Sequence, residues 1–234
     1  MPPESLSDTV YTHLRSQITR LEIPPGSSFT EARIAADLGL SKTPVRDALT
    51  RLRHEGFVTV DAGSGYRAAD VTIKDTRELF ALRVLLEGEA ASQAAARSVG
   101  LEDLRTLEEL CSSTYTPADA TSVDRFLEAN TVFHLMVASA SASRRLTQTL
   151  EIILVQMERL FRIGLLLSSR ADEIVHEHQD LLQAILAGDS ERARRVAVDQ
   201  VRASQRMVVD ALVSSDDVTR LPINLPPLKA AADG

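Results

Sequence analysis

A single cysteine, Cys111, in 234 residues excludes an intrachain disulfide and suits a reducing compartment. Neither a histidine nor a basic cluster adjoins it, so a small buried hydrophobe is expected there rather than a reactive thiol. No apolar run approaches the roughly 18 residues that span a membrane. The opening "MPPESLSDTV" has neither the basic stretch nor the apolar segment of a secretory leader. A soluble, cytoplasmic chain with no membrane partner is expected. Also missing are a phosphate-cradling glycine loop, a catalytic serine elbow, a CxxC pair and a tandem repeat of fixed period.

What is present is 44 % hydrophobic content, enough to bury a core, in a length that suits two modest domains. The net charge of -7 argues against a generic nucleic-acid coat, but a total hides local patches. Residues 1–70 hold 8 Lys/Arg and 9 Asp/Glu, against 18 and 24 in the remainder, so most of the excess acid lies downstream. Between Ser41 and His54 stand Lys42, Arg46, Arg51 and Arg53 against Asp47 alone, an island of about +3.

Composition changes near 69–74. Before it, short helices alternate with glycine and proline; after it come long alanine- and leucine-rich periodic segments. Val10, Leu14, Ile18 and Leu21 predict a helix over 7–20, and "IPPGSSF" stops it. Thr30 precedes a second helix, which Gly39 ends. A third begins at "SKTPVRDALTRLRHEG", with Ser41 or Thr43 as its cap; Pro44 is harmless in a first turn whose amides have no intrahelical partner. "FVTV" and "YRAADV", separated by "DAGSG", read as a hairpin. Residues 1–70 thus predict a winged helix-turn-helix with a short β-hairpin wing. Residues 71–213 predict an all-α bundle of helices over 74–98, 101–113, 123–140, 143–167, 171–187 and 190–213. Leu79, Leu82, Leu86 and Ala90 form the buried stripe of its first helix. The mainly α fold closes with a proline-rich tail, 214–234, expected to be largely unordered.

On the third helix Val45, Ala48, Leu49 and Leu52 share one face and can pack on Ile34 and Leu38. Lys42, Arg46, Thr50 and Arg53 fall on the other. A helix with cations at its amino end and along one side, held by a second helix through a tight turn, has the geometry that enters a major groove. Lys42 and Arg46 can there reach guanine edges or phosphates, while Ser41 and Thr43 donate to phosphate oxygens. The alternative is a solvated surface face.

"IPPGSSFTEARIAADL", "GLSKTPVRDALTRLRHEGFV" and "GSGYRAADV" resemble the DNA-binding domain of the GntR family of bacterial transcription regulators. The resemblance implies DNA contacts by Ser41, Lys42, Thr43 and Arg46, and by a wing containing Gly63, Gly65 and Arg67. Lysine stands at 42 where the family more often has arginine, which keeps the charge but weakens a two-pronged base contact.

In the helical part Asn130 and His134 are one turn apart, His178 lies in "EHQDLL" and Gln200 on the last helix. Two histidines on separate helices can converge on an internal site or serve as hydrogen-bonded core residues. His176, two residues from His178, should point elsewhere. Residues 74–213 also resemble the FadR-type effector domain, called FCD. Many of its members hold a divalent metal, zinc or nickel, through an aspartate and three histidines, and the metal helps bind a carboxylate effector. Here His134 and His178 match that set, whereas Asn130 replaces the aspartate and Gln200 a histidine, so half of the ligands are neutral and weak. Without a metal, an organic acid can bind directly to His134, His178, the two amides and Arg83. Arg83 can equally pair with Glu87 one turn on.

The expectation is a ligand-responsive transcription regulator, a repressor binding a palindromic double-stranded DNA operator as a homodimer, with a small organic-acid effector. Two rivals are a metal-dependent hydrolase, with Glu177 as the only nearby base, and an architectural DNA-binding protein without effector.

Overall fold

A computed structural model describes residues 5–61, 65–97, 101–116, 119–167 and 170–214. The chain divides into two compact units after Val71, the second running Thr72–Ser214. Gly63 and the tail from residue 215 lie outside the described residues.

The first unit is built from α1 (Leu6–Thr19), β1 (Ser28–Phe29), α2 (Glu31–Asp37), α3 (Lys42–His54), β2 (Val58–Asp61) and β3 (Gly65–Ala68). Thr30 caps α2 through the Arg33 amide, as the sequence predicts. Gly39, at φ 66°, ends α2: the Leu40 amide returns to the Ala35 carbonyl at 2.9 Å and the Gly39 amide to that of Ala36. This left-handed closure makes the tight turn into α3. Gly56, at φ 78°, repeats it after α3, with Phe57 N–H bonded to Leu52 C=O at 2.9 Å. Val45, Ala48, Leu49 and Leu52 are fully buried, packed on α1 as well as on α2. At about 1.5–3 kcal/mol per large apolar side chain, this seam holds α3 with its opposite side outward.

Ser41 stands at the cap position of α3 but its side chain accepts no hydrogen bond from the first turn, contrary to expectation. The third helical residue is Pro44, which has no N–H, so one of the amides that a capping hydroxyl bonds is absent. The wing has three strands, not two. β1 pairs with the outer side of β3 in the order β1-β3-β2, all antiparallel, with Ser28 opposite Arg67 and Val60 opposite Tyr66. Two residues between stop signals carry too little alternation to read as a strand.

The second unit is helical: α4 (Ile73–Ala95), α5 (Leu101–Cys111), α6 (Ala120–Ala140), α7 (Arg144–Leu167), α8 (Ala171–Leu186) and α9 (Ser190–Ser214). α4 lies along α9 and also meets α6, α7 and α8. Gly88 permits that approach, since a Cβ there would sit 2.9 Å from Val198 Cγ2. Cys111 is buried against Leu107, Phe133 and Val137, and burial pushes its thiol up to about 12.

The stripe expected on α4 needs correction. Leu79 and Ala90 are buried, but Leu82 is 45 % exposed and Leu86 only half-buried. Arg83 and Glu87 turn inward instead, at 1 % and 4 % exposure. Each neutralises the other, which lets a polar pair occupy core positions and rotates the leucines outward. No helix among the described residues is long and apolar enough to cross a membrane.

Candidate functional site

The outward side of α3 carries Ser41, Lys42 and Thr43 at its amino end, then Arg46, Thr50 and Arg53; all are exposed except half-buried Thr50. Lys42 and Arg53 form no ion pair among the described residues. Arg51, counted in the basic island, belongs elsewhere. Its guanidinium lies 3.6 Å over the Tyr11 ring, with Nε donating to Glu55 at 3.2 Å and Nη1 to Asp8 at 3.4 Å. It therefore ties α3 to α1, and the outward charge comes from Lys42, Arg46 and Arg53.

Arg46 is held. Its Nε donates to both oxygens of Glu31 at 3.2 Å and its Nη2 to Oε2 at 2.9 Å, while the Tyr66 hydroxyl of β3 donates to Oε1 at 3.3 Å. The Arg46 bonds keep the Glu31 carboxyl below its usual range. Sequence spacing gave no sign of this pair, 15 residues apart. In the wing, Gly65 has φ 102° and Arg67 Nη2 lies 3.5 Å from Asp61 Oδ2.

In the second unit Arg83, Asn130, His134, His178 and Gln200, the five residues singled out from sequence, line one cavity of about 10 Å³, room for about one water. Behind two of these residues stands Glu87, which the sequence shows only as a neighbour of Arg83. Glu87 accepts from Arg83 Nε and faces His134 Nδ1 at 2.8 Å. Burial alone would raise its pKa, but the charges of Arg83 and His134 outweigh burial and hold it at about 2. His178 packs at 4.3 Å on Phe133 and 5.3 Å from the His134 ring. Burial, then the nearby His134, keep it well below the usual imidazole range. Gln200 donates to the Glu177 carbonyl, which leaves Gln200 Oε1 buried without a partner; Arg83 Nη1 is likewise unpaired. His176 points away, with Nδ1 2.6 Å from the Asp172 carbonyl.

A divalent metal does not fit these residues. Glu87 is committed to Arg83 and His134, Glu177 on the cavity wall is paired with Arg170 at 2.7 Å, and the other candidate donors are two imidazoles and two neutral amides. Arg83 places a buried cation on the same cavity, and no group of three metal-ligating side chains occurs among the described residues.

The family described as "Bacterial regulatory proteins, gntR family" matches residues 6–67, and the family "FCD domain" matches residues 78–203. The chain belongs to the GntR family of bacterial regulatory proteins, among the members that carry an FCD domain, and is a transcription regulator. It is 25 % identical over 188 residues to YdhC of Bacillus subtilis, an uncharacterized HTH-type transcriptional regulator, covering 79 % of this chain and 83 % of that one. The HTH-type transcriptional repressor RspR of Escherichia coli is 20 % identical over 210 residues, 88 % and 92 % of the two chains. The solved structure of E. coli McbR/YncC shares the fold, with a TM-score of 0.71 and 23 % identity over 88 % of this chain and 98 % of that one.

Proposed function

We propose that the protein is a ligand-responsive repressor of the FadR subfamily that binds a palindromic operator as a homodimer in the cytoplasm. Residues 1–70 read DNA and 71–213 sense the effector and dimerise. The observation that carries this reading is the exposed side of α3, with three cations and an uncapped amino end, beside a wing strand bearing Arg67. Lys42, Arg46 and Arg53 meet base edges and phosphates; Ser41, Thr43 and Thr50 add polar contacts, and Gly63, Gly65 and Arg67 approach from the wing. One such helix reads only a few base pairs, so a two-fold pair is needed for specificity. Exposed Leu82 and Leu85 on α4 and Ile152 on α7, helices that pack on each other, offer apolar surface for that pairing. Repression follows the name of the relative RspR.

The effector is a small organic acid that enters the bundle cavity and takes Arg83 from Glu87, shifting the dimer between two states of different DNA affinity. Entry requires the cavity to open, because about 10 Å³ admits no acid. That smallness also favours a second reading, an architectural protein without effector.

Selection of duplexes from a randomised library tests the main reading. Enriched sequences should contain inverted half-sites about one helical turn apart, and absence of any enriched sequence refutes it. A carboxylic acid that raises the thermal midpoint separates the regulator from the architectural reading, which predicts none does.

A further inference from the structure

Glu31, the partner of Arg46, makes more polar contacts on the reading side than any cation there. It is the first residue of α2, immediately after the cap Thr30, where the amide dipoles favour a carboxylate. From that position it receives three N–H contacts from Arg46 on α3 and one O–H from Tyr66 on β3. One carboxylate thus joins all three parts that a winged helix uses.

The atoms of Arg46 show what the contact leaves free. A guanidinium carries five N–H groups in a rigid plane. Glu31 takes Nε–H and one N–H of Nη2, the inner edge. The second N–H of Nη2 and both of Nη1 remain, and one from each nitrogen forms the outer fork. That fork matches the O6 and N7 acceptors of guanine. The Arg46 side chain is 63 % exposed despite the pair, whereas that of Glu31 is 20 % exposed. Glu31 therefore binds the side of Arg46 that DNA does not need.

We propose that Glu31 is a positioning residue for specificity: it fixes the guanidinium of Arg46, with help from Tyr66, so that the outer fork is preset for a base edge. The role rests on the DNA-reading function proposed above. A preset side chain loses less freedom on binding, so the gain falls on the one duplex whose guanine meets the fork. On any other duplex Glu31 is only a negative charge near phosphates, which weakens non-specific binding.

The two effects have opposite signs, and that is the basis of the test. Affinities of the full chain are measured over a salt series for a duplex selected by the wild type and for its shuffled counterpart. Glu31→Gln should bind the selected duplex about tenfold more weakly and the shuffled duplex more tightly, with a steeper salt dependence. Tyr66→Phe keeps the carboxylate and should lower only the affinity for the selected duplex, by a smaller factor. Both affinities rising together would reduce Glu31 to a repelling charge and overturn the proposal. Both falling with a lowered thermal midpoint, or an unchanged ratio in Glu31→Gln, would overturn it as well. If the wild type selects no sequence, DNA reading itself fails, a result distinct from a selecting wild type whose specificity ignores Glu31.

Discussion

Replacement of Glu87 by glutamine removes the charge at the centre of the bundle while keeping the size of the side chain. Glu87 has a folded pKa of about 2 against an ordinary value of 4.5. A folded value below the unfolded one gives stability that is present above about pH 4.5 and lost as pH falls towards 2; a gap of this size corresponds to about 3 kcal/mol. The substitution also leaves Arg83, at 1 % exposure, with no anionic partner among the described residues. Breaking a buried pair from one side costs about 3–5 kcal/mol, the same order by an independent route. Urea unfolding of the full chain, followed by circular dichroism between pH 7 and pH 3, should show Glu87→Gln weaker by that amount at pH 7. The difference should narrow below pH 4.5 as the wild type loses its own charge. A variant within about 1 kcal/mol of wild type at pH 7, or a difference independent of pH, would refute the reading of Glu87 as the ion that stabilises Arg83 and His134.

His178 gives a separate pH signature. Its folded pKa lies below the unfolded 6.5, so the unfolded chain takes up the proton first. Stability should fall by about 1.4 kcal/mol per unit below pH 6.5 until the native value is reached, and His178→Gln should flatten that slope in the same titration. Gly88→Ala drives a Cβ to 2.9 Å from the stiff Val198. Overpacking of about 1–3 kcal/mol should exceed the roughly 1 kcal/mol gained from helix propensity, so a lowered thermal midpoint is expected.

Repeating patterns made most of the fold legible. The apolar spacing of Val45, Ala48, Leu49 and Leu52 marks the buried side of α3, and the helices of the second unit begin and end within a few residues of their expected limits. What escaped depends on contacts between distant segments. β1 exists because β3 supplies its partners, and Arg51, one of the cations of the basic island, is taken up by Tyr11 and Asp8 of α1 and by Glu55. By hydrophobicity Leu82 is the buried choice over Arg83, and only the pairing of Arg83 with Glu87, which His134 faces in turn, reverses that. The cavity residues were legible one by one, since the histidines and amides stand out among leucines. Glu87 was visible only as one side of a helical pair, because nothing local reveals that His134 reaches it from α6.

The most direct test of the central claim, that the outward side of α3 reads DNA, is the affinity of Arg46→Ala for a duplex selected by the wild-type protein. A loss of about 1–3 kcal/mol, confined to that duplex and absent from a shuffled one of equal length, is the predicted result. Equal affinity of the variant and the wild type for the selected duplex would contradict it.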